Sequence, residues 1–236
     1  METDQAFVHS YDAEIPHRHK HIDALSIGLF GLTVAAITLG LHQIGAFGGE
    51  NEDLITRLGI AIMSFIFGGV VQVIAGFVEI KYDQQLGGTA LTMYGFLWIG
   101  VASMGMLTTV EHAGPHPFVE IPLIATFAVF SAVMVYLTGM KNFVLMLMHI
   151  CITVTLSLVV LAKFGLMSEV PAGIGHFCIA ITAFVEAMGV LVNEFTGTAQ
   201  VPLGGGPFAK YQSTTLEAAH PSDHATFETE RGQQHA

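Results

Sequence analysis

Charge is scarce in this sequence. Of 236 residues only 11% are Asp, Glu, Lys or Arg, and eight cations face nineteen anions. A net charge of −11 with no basic cluster excludes nucleic acid as a partner. Cysteine is nearly absent. Cys151 and Cys178 both fall inside apolar runs without a C-x-x-C pair, so they read as small buried hydrophobes, not a disulfide framework or a thiolate metal site. H-E-x-x-H and G-x-S-x-G are missing too, which counts against a membrane enzyme or haem protein built on His42, His149 and His176. No enzyme activity, cofactor or metal is expected. Met1–His21 is polar, so no cleavable signal peptide is expected either.

Apolar residues fill the space that charge leaves, at 52% of the chain, together with 26 glycines. Crossing a hydrocarbon core takes about 20 apolar residues in helix. Six runs meet that requirement: Ala24–Phe47, Leu58–Val78, Gly87–Leu107, Ile121–Met140, Asn142–Ala162 and Val170–Val192. None alternates with a period of two, so an outer-membrane barrel is excluded. The predicted fold is an all-α integral membrane bundle of six transmembrane helices. Residues 1–22 form a polar N-terminal tail, 23–195 the transport domain and 196–236 a polar C-terminal tail. With six spans both tails share a side with Lys81 and Lys141, while Arg57 and Lys163 lie opposite. The positive-inside bias therefore predicts cytoplasmic termini in the cell membrane. The acidic stretch 49–53 and the loop carrying His112 and His116 then face outward.

The segment GGVVQVIAGFVEIKYDQQLGGTALTMYGFLW organises the chain. Gly69, Gln72, Gly76 and Glu79 recur at steps of three and four, a small and polar stripe on an otherwise greasy helix. In lipid such a stripe turns toward protein or water. A second stripe runs through Gly28, Gly31, Thr38 and His42, which reads as a helix interface or as pore lining. Thr182, Glu186, Gly189 and Asn193 share a face of the last helix, and Glu186 there must be paired, protonated or wet. Tyr94 follows shortly after a helix start, which by spacing favours an interfacial aromatic belt over a phenol that donates to a carboxylate in a narrow path. His149 and His176 read as satisfied core histidines. The alternating histidines His17, His19 and His21, with His220, His224 and His235, lack zinc spacing and belong to solvated tails.

Assembled, these residues resemble the acetate uptake transporter family (AceTr). GGVVQVIAGFVEIKY is similar to its G-G-x-x-Q-x-x-A-G-x-x-E-x-K pattern, and GGTALTMYGFLW to its G-x-T-A-x-x-x-Y-G-x-x-W segment. Gly40-Leu41-His42-Gln43, Leu191-Val192-Asn193-Glu194-Phe195 and Val201-Pro202-Leu203-Gly204 are similar to its L-H-N, L-N-E and L-P-x-G motifs, in order. The resemblance spans most of residues 23–204. It implies a six-helix protomer, a homo-hexamer in membrane lipid, and proton-linked or channel-like movement of acetate and related short carboxylates, succinate included. It also implies a hydrophobic constriction of a Phe, a Tyr and a Leu. The Tyr is Tyr94; ungapped counting puts Leu32 and Thr153 at the other two positions, a wider and more polar neck. The family's N-terminal N-P-x-P-L-G-L reads Asp23-Ala24-Leu25-Ser26-Ile27-Gly28-Leu29 here, a further departure.

Desolvating a bare carboxylate is prohibitive, so hydroxyl and amide donors should line its path. Tyr94, Thr92, Gln72 and Thr153 are the expected donors, held weakly enough to release their cargo. Glu79 and Glu186 are the expected proton carriers, because burial favours the neutral carboxyl; Lys81 near Glu79 offers a structural ion pair instead. The competing reading is a proton-gated channel for a small neutral solute such as urea, with His112 and His116 as sensors. A sensor protein acting through its His-rich tails is a third.

Overall fold

The computed structural model describes residues 24–48, 53–111 and 117–209. Within them lie six helices long and apolar enough to span a membrane, and no strand. The first is α1 (Leu25–Gln43). The second span is continuous but changes winding: α2 (Leu54–Met63), a π-helical segment (Ser64–Val71) and α3 (Gln72–Lys81). Then come α4 (Gln85–Glu111), α5 (Pro117–Thr138), α6 (Phe143–Lys163) and α7 (Val170–Thr196).

Side-chain caps set several boundaries differently from hydropathy. Asp53 accepts from the Thr56 amide at 2.7 Å, which starts the second span four residues before Leu58. The same hydrogen bonds hold the exposed Asp53 carboxyl below its ordinary range. Asn142 accepts from Leu145 N at 2.7 Å, so it caps α6 from outside the helix. Gly197, at φ 67°, ends α7 in the left-handed conformation that glycine adopts without strain. The π segment is one feature that no periodicity signalled. It widens the helix next to α1 and α4 and resets the facing of Gln72, the residue after it.

α1 packs chiefly on α7, α5 on α6, and the π segment with α3 on α4. Large apolar side chains such as Ile74, Phe77, Val129, Val133 and Ile181 point outward, as a lipid-facing surface requires. Short turns put the ends of the helices in two groups. The tail end gathers the start of α1, the 81–85 turn, the 138–143 turn and the end of α7. The loop end gathers the end of α1, the start of α2, the end of α4, the start of α5 and the 164–169 turn.

The chain after α7 does not leave at once. Asn193 grips Val201 through two 2.8 Å hydrogen bonds, donating to its carbonyl and accepting from its amide. Val144 N then donates to Leu203 O at 3.1 Å, and Phe208 N to Gly139 O at 2.9 Å. Residues 197–209 thus fold back over α5 and α6, and the bundle extends beyond residue 195. The His-rich tails and the His112–His116 loop lie outside the described residues.

Candidate functional site: two cavities separated by an aromatic plug

The glycine stripes prove to be contacts between helices. A Cβ on Gly88 would lie 2.8 Å from Ile80 N and 2.9 Å from Gly76 O, so α3 and α4 touch backbone to backbone. Gly69 meets Ile99 and Gly95, Gly76 meets Thr92, Gly28 meets Leu91 and Ala75, and Gly31 meets the Phe67 carbonyl. Of the two expectations for Gly28, Gly31, Gly69 and Gly76, helix interface or pore lining, these contacts correspond to the interface. Thr38 turns its hydroxyl back to Val34 O at 2.8 Å and Asn193 binds the C-terminal strap, so neither lines a path. His42 does line a cavity.

That cavity opens at the loop end and measures about 270 Å³. Its walls carry His42, Arg57, Ser64, Thr109, Glu169 and the ion pair Lys163–Glu120 at 2.6 Å, and it reaches down to Trp98 and His176. The Trp98 and His176 rings lie 6.1 Å apart. Both signs of charge are present, so this vestibule can solvate a small ion without trapping it.

A second cavity, about 20 Å³, lies toward the tail end. Leu25, Leu29 and Leu32 of α1, Gln72 of α3, Tyr94 of α4, Met134 of α5 and His149 of α6 bound it. Between the two lies packed hydrocarbon and aromatic surface. Tyr94 contacts Phe130 at 5.4 Å, His149 at 5.8 Å and Phe127 at 6.2 Å between ring centres. Leu32, Leu97, Trp98 and Ile152 belong to the same buried cluster.

Tyr94 is therefore not a belt residue. It sits nine residues into α4, about 14 Å along the axis, and is only 4% exposed. Leu32, Gln72 and Tyr94 all border the smaller cavity. Thr153 is a correction: it lines neither cavity and donates to His149 O at 2.8 Å, while its neighbour Ile152 is the buried side chain. Thr92 faces Gly76 in the α3–α4 contact and also lies off both cavities.

The two buried glutamates organise helix ends. Glu79, 2% exposed, accepts from Ala24 N at 2.6 Å and Leu25 N at 3.1 Å, so it caps α1 from a distant helix. Glu186, fully buried, accepts from Asn142 Nδ2 at 2.7 Å and so steadies the residue that caps α6. Both helices line the tail-end cavity.

Residue-level reading missed one feature. His149 hydrogen-bonds Leu145 O through Nδ1 at 2.8 Å, yet its Nε2 is buried without a partner. The Gln72 amide is also buried with both polar atoms unpaired, and the Tyr94 hydroxyl is buried beside Ser131.

Residues 8–203 match the GPR1/FUN34/yaaH family. The chain belongs to that family. It is 28% identical over 183 residues to the succinate-acetate/proton symporter SatP of Escherichia coli K12, covering 75% of this chain and 93% of the relative. A shorter match, 30% over 86 residues, is to ammonia transport outward protein 2 of Saccharomyces cerevisiae, 36% of this chain and 29% of that one. Among solved structures, the bacterial acetate channel SatP superposes with a TM-score of 0.69 at 26% identity, covering 77% of this chain and 98% of that one. These relatives are transport proteins, and the chain is a membrane protein of that kind rather than an enzyme.

Proposed function

We propose that this chain carries acetate and related short-chain carboxylates, together with a proton, across the cell membrane. The observation that supports it most directly is the pair of cavities on either side of the Tyr94 plug, with Leu32, Gln72 and Tyr94 meeting at the smaller one. The E. coli symporter and the bacterial acetate channel, similar over most of the chain, name the cargo class. In this reading the loop-end vestibule receives the carboxylate from outside and the tail end faces the cytoplasm. Six copies assemble in the bilayer, as the family resemblance implies. Succinate, named for the E. coli relative, marks the upper size to test.

Glu79 and Glu186 serve this function by holding α1 and α6 in place around the inner cavity, which leaves proton linkage to another group. The neutral-solute channel is not favoured, since the relative and the solved structure that are similar over most of the chain are named for succinate and acetate.

Labelled-acetate uptake into proteoliposomes, with and without an imposed pH gradient, tests the reading. Wild type takes up acetate above empty vesicles, and faster with an inward proton gradient. Tyr94→Ala removes the central ring of the plug and raises downhill flux severalfold while weakening discrimination against succinate. Properly assembled wild type that admits no acetate under any gradient overturns the reading.

A further inference from the structure

The floor of the loop-end vestibule carries a titratable ring. His176 of α7 borders it beside Trp98 of α4, the two rings 6.1 Å apart. Its backbone is held in place by a close helix contact. Gly40 of α1 lets α7 approach, since a Cβ on it would lie 3.0 Å from Gly173 O and 3.3 Å from His176 Cβ. The ring's Nδ1 meets Ala172 O at 3.0 Å, and a backbone carbonyl only accepts, so Nδ1 carries the hydrogen. In the neutral ring Nε2 is then a lone pair. It has no protein partner among the described residues, and unlike His149 Nε2 it is not sealed from the surface. The cavity it borders measures about 270 Å³, close to the roughly 300 Å³ at which small-molecule pockets begin.

We propose that the vestibule floor is a site for one short carboxylate together with one proton, with His176 Nε2 as the atom that takes up the proton and presents it to a carboxylate oxygen. This rests on the acetate reading above and names the group that couples it to protons, a role that Glu79 and Glu186 leave open by holding helix ends. Water in the open vestibule delivers the proton. Once Nε2 is protonated, the ring offers an N–H to one carboxylate oxygen, and the two charges offset each other. Transfer of that proton along the hydrogen bond leaves a neutral imidazole and an undissociated acid. The neutral acid then faces the apolar plug without the desolvation cost of a bare ion. No bond to carbon is made or broken; one proton and one carboxylate enter, and the same two leave.

Charged and titratable groups reach this cavity from most of the helices around it. His42 stands on α1, Arg57 on α2, Glu120 of α5 is paired with Lys163 of α6, and Glu169 immediately precedes α7. The π segment adds Ser64, and α4 adds Trp98 and two threonines but no ionisable side chain. Glu169 lies two turns before His176 on the same face, about 10 Å along the axis, so the carboxylate marks the mouth and the imidazole the floor. The other wall groups able to take up a proton are His42, Glu120 and Glu169.

Acetate binding to the reconstituted protein, followed just above neutral pH where free acetate is ionised and imidazole is neutral, tests the proposal. The complex holds one proton more than its separate parts. Affinity for total acetate therefore falls about tenfold per pH unit as pH rises, and about one proton per bound acetate is drawn from a weak buffer. His176→Gln keeps an amide that can bond Ala172 O but holds no extra proton, so its acetate affinity is lower and flat with pH. Nitrogen NMR of histidine-labelled wild type does not depend on a variant folding. Without acetate it shows a ring protonated at Nδ1 alone, and saturating acetate brings a hydrogen or a hydrogen bond to Nε2. A flat wild-type affinity, no acetate binding, or no change at any histidine Nε2 on saturation each overturns the proposal. A slope that survives in His176→Gln assigns the proton to another wall group and overturns it too. Vesicles that transport acetate while wild-type binding is flat with pH overturn this inference and leave acetate carriage standing; vesicles that transport none overturn carriage itself.

Discussion

Glu79 shows how a motif position acquires its physical meaning. Its carboxylate reaches from the end of α3 to two backbone amides at the start of α1, 55 residues away in sequence. Those amides would otherwise be buried without acceptors, which costs about 1–3 kcal/mol for each group left unpaired. Gln at this position still presents an oxygen to them, whereas Ala presents nothing. Glu79→Ala is therefore expected to lose about 1–3 kcal/mol or more of stability and Glu79→Gln clearly less. Thermal unfolding of both in detergent checks this order, and transport that keeps its pH response in Glu79→Gln shows that the proton travels elsewhere. His149 makes the converse point. Half of its ring is satisfied locally, while Nε2 is buried without a partner.

Elements in this protein are held by closeness, not by apolar driving force, since lipid is as apolar as leucine. The α3–α4 crossing is the tightest case, with Gly76, Gly88 and Gly95 each against the backbone of the other helix. A Cβ at Gly88 would meet main-chain atoms, which cannot rotate away as a side chain can. Gly88→Val is expected to push the helices apart, costing about 1–3 kcal/mol or more and dislodging Gln72 from the cavity. Gly59→Ala is the control, because nothing lies within 4 Å of its added methyl. Yield of monodisperse protein and its melting temperature distinguish the two. The π segment belongs to the same scale: its wider winding accommodates the Gly31–Phe67 contact and turns Gln72 inward.

At the scale of the molecule, two cavities are separated by packed aromatic and aliphatic side chains, so in the proposed function passage requires side chains to move. The vestibule's cations and anions offset one another, so under the proposed function a carboxylate would enter it by solvation more than by long-range attraction. Its orientation follows from lysine and arginine placement, which predicts that the 81–85 turn is cytoplasmic and the 164–169 turn external. In a background where Cys151 and Cys178 are replaced, Leu166→Cys should react with a membrane-impermeant maleimide on intact cells. Gln85→Cys should react only after permeabilisation, and the reverse pattern inverts the topology.

Hydropathy alone determined the six spans and the all-helical architecture, because backbone polar groups in lipid must be satisfied within a helix. Motif order pointed to the family and to Tyr94, Leu32 and Gln72. What sequence left open depends on contacts between distant segments. Only the tertiary structure decided that the glycine stripes are interfaces, that Glu79 and Glu186 hold helix ends, that Ile152 rather than Thr153 packs in the core, and that His149 Nε2 is buried unpaired. Periodicity tells which side chains share a face of one helix; which partner meets that face, and whether a gap remains, is settled when six helices pack at once.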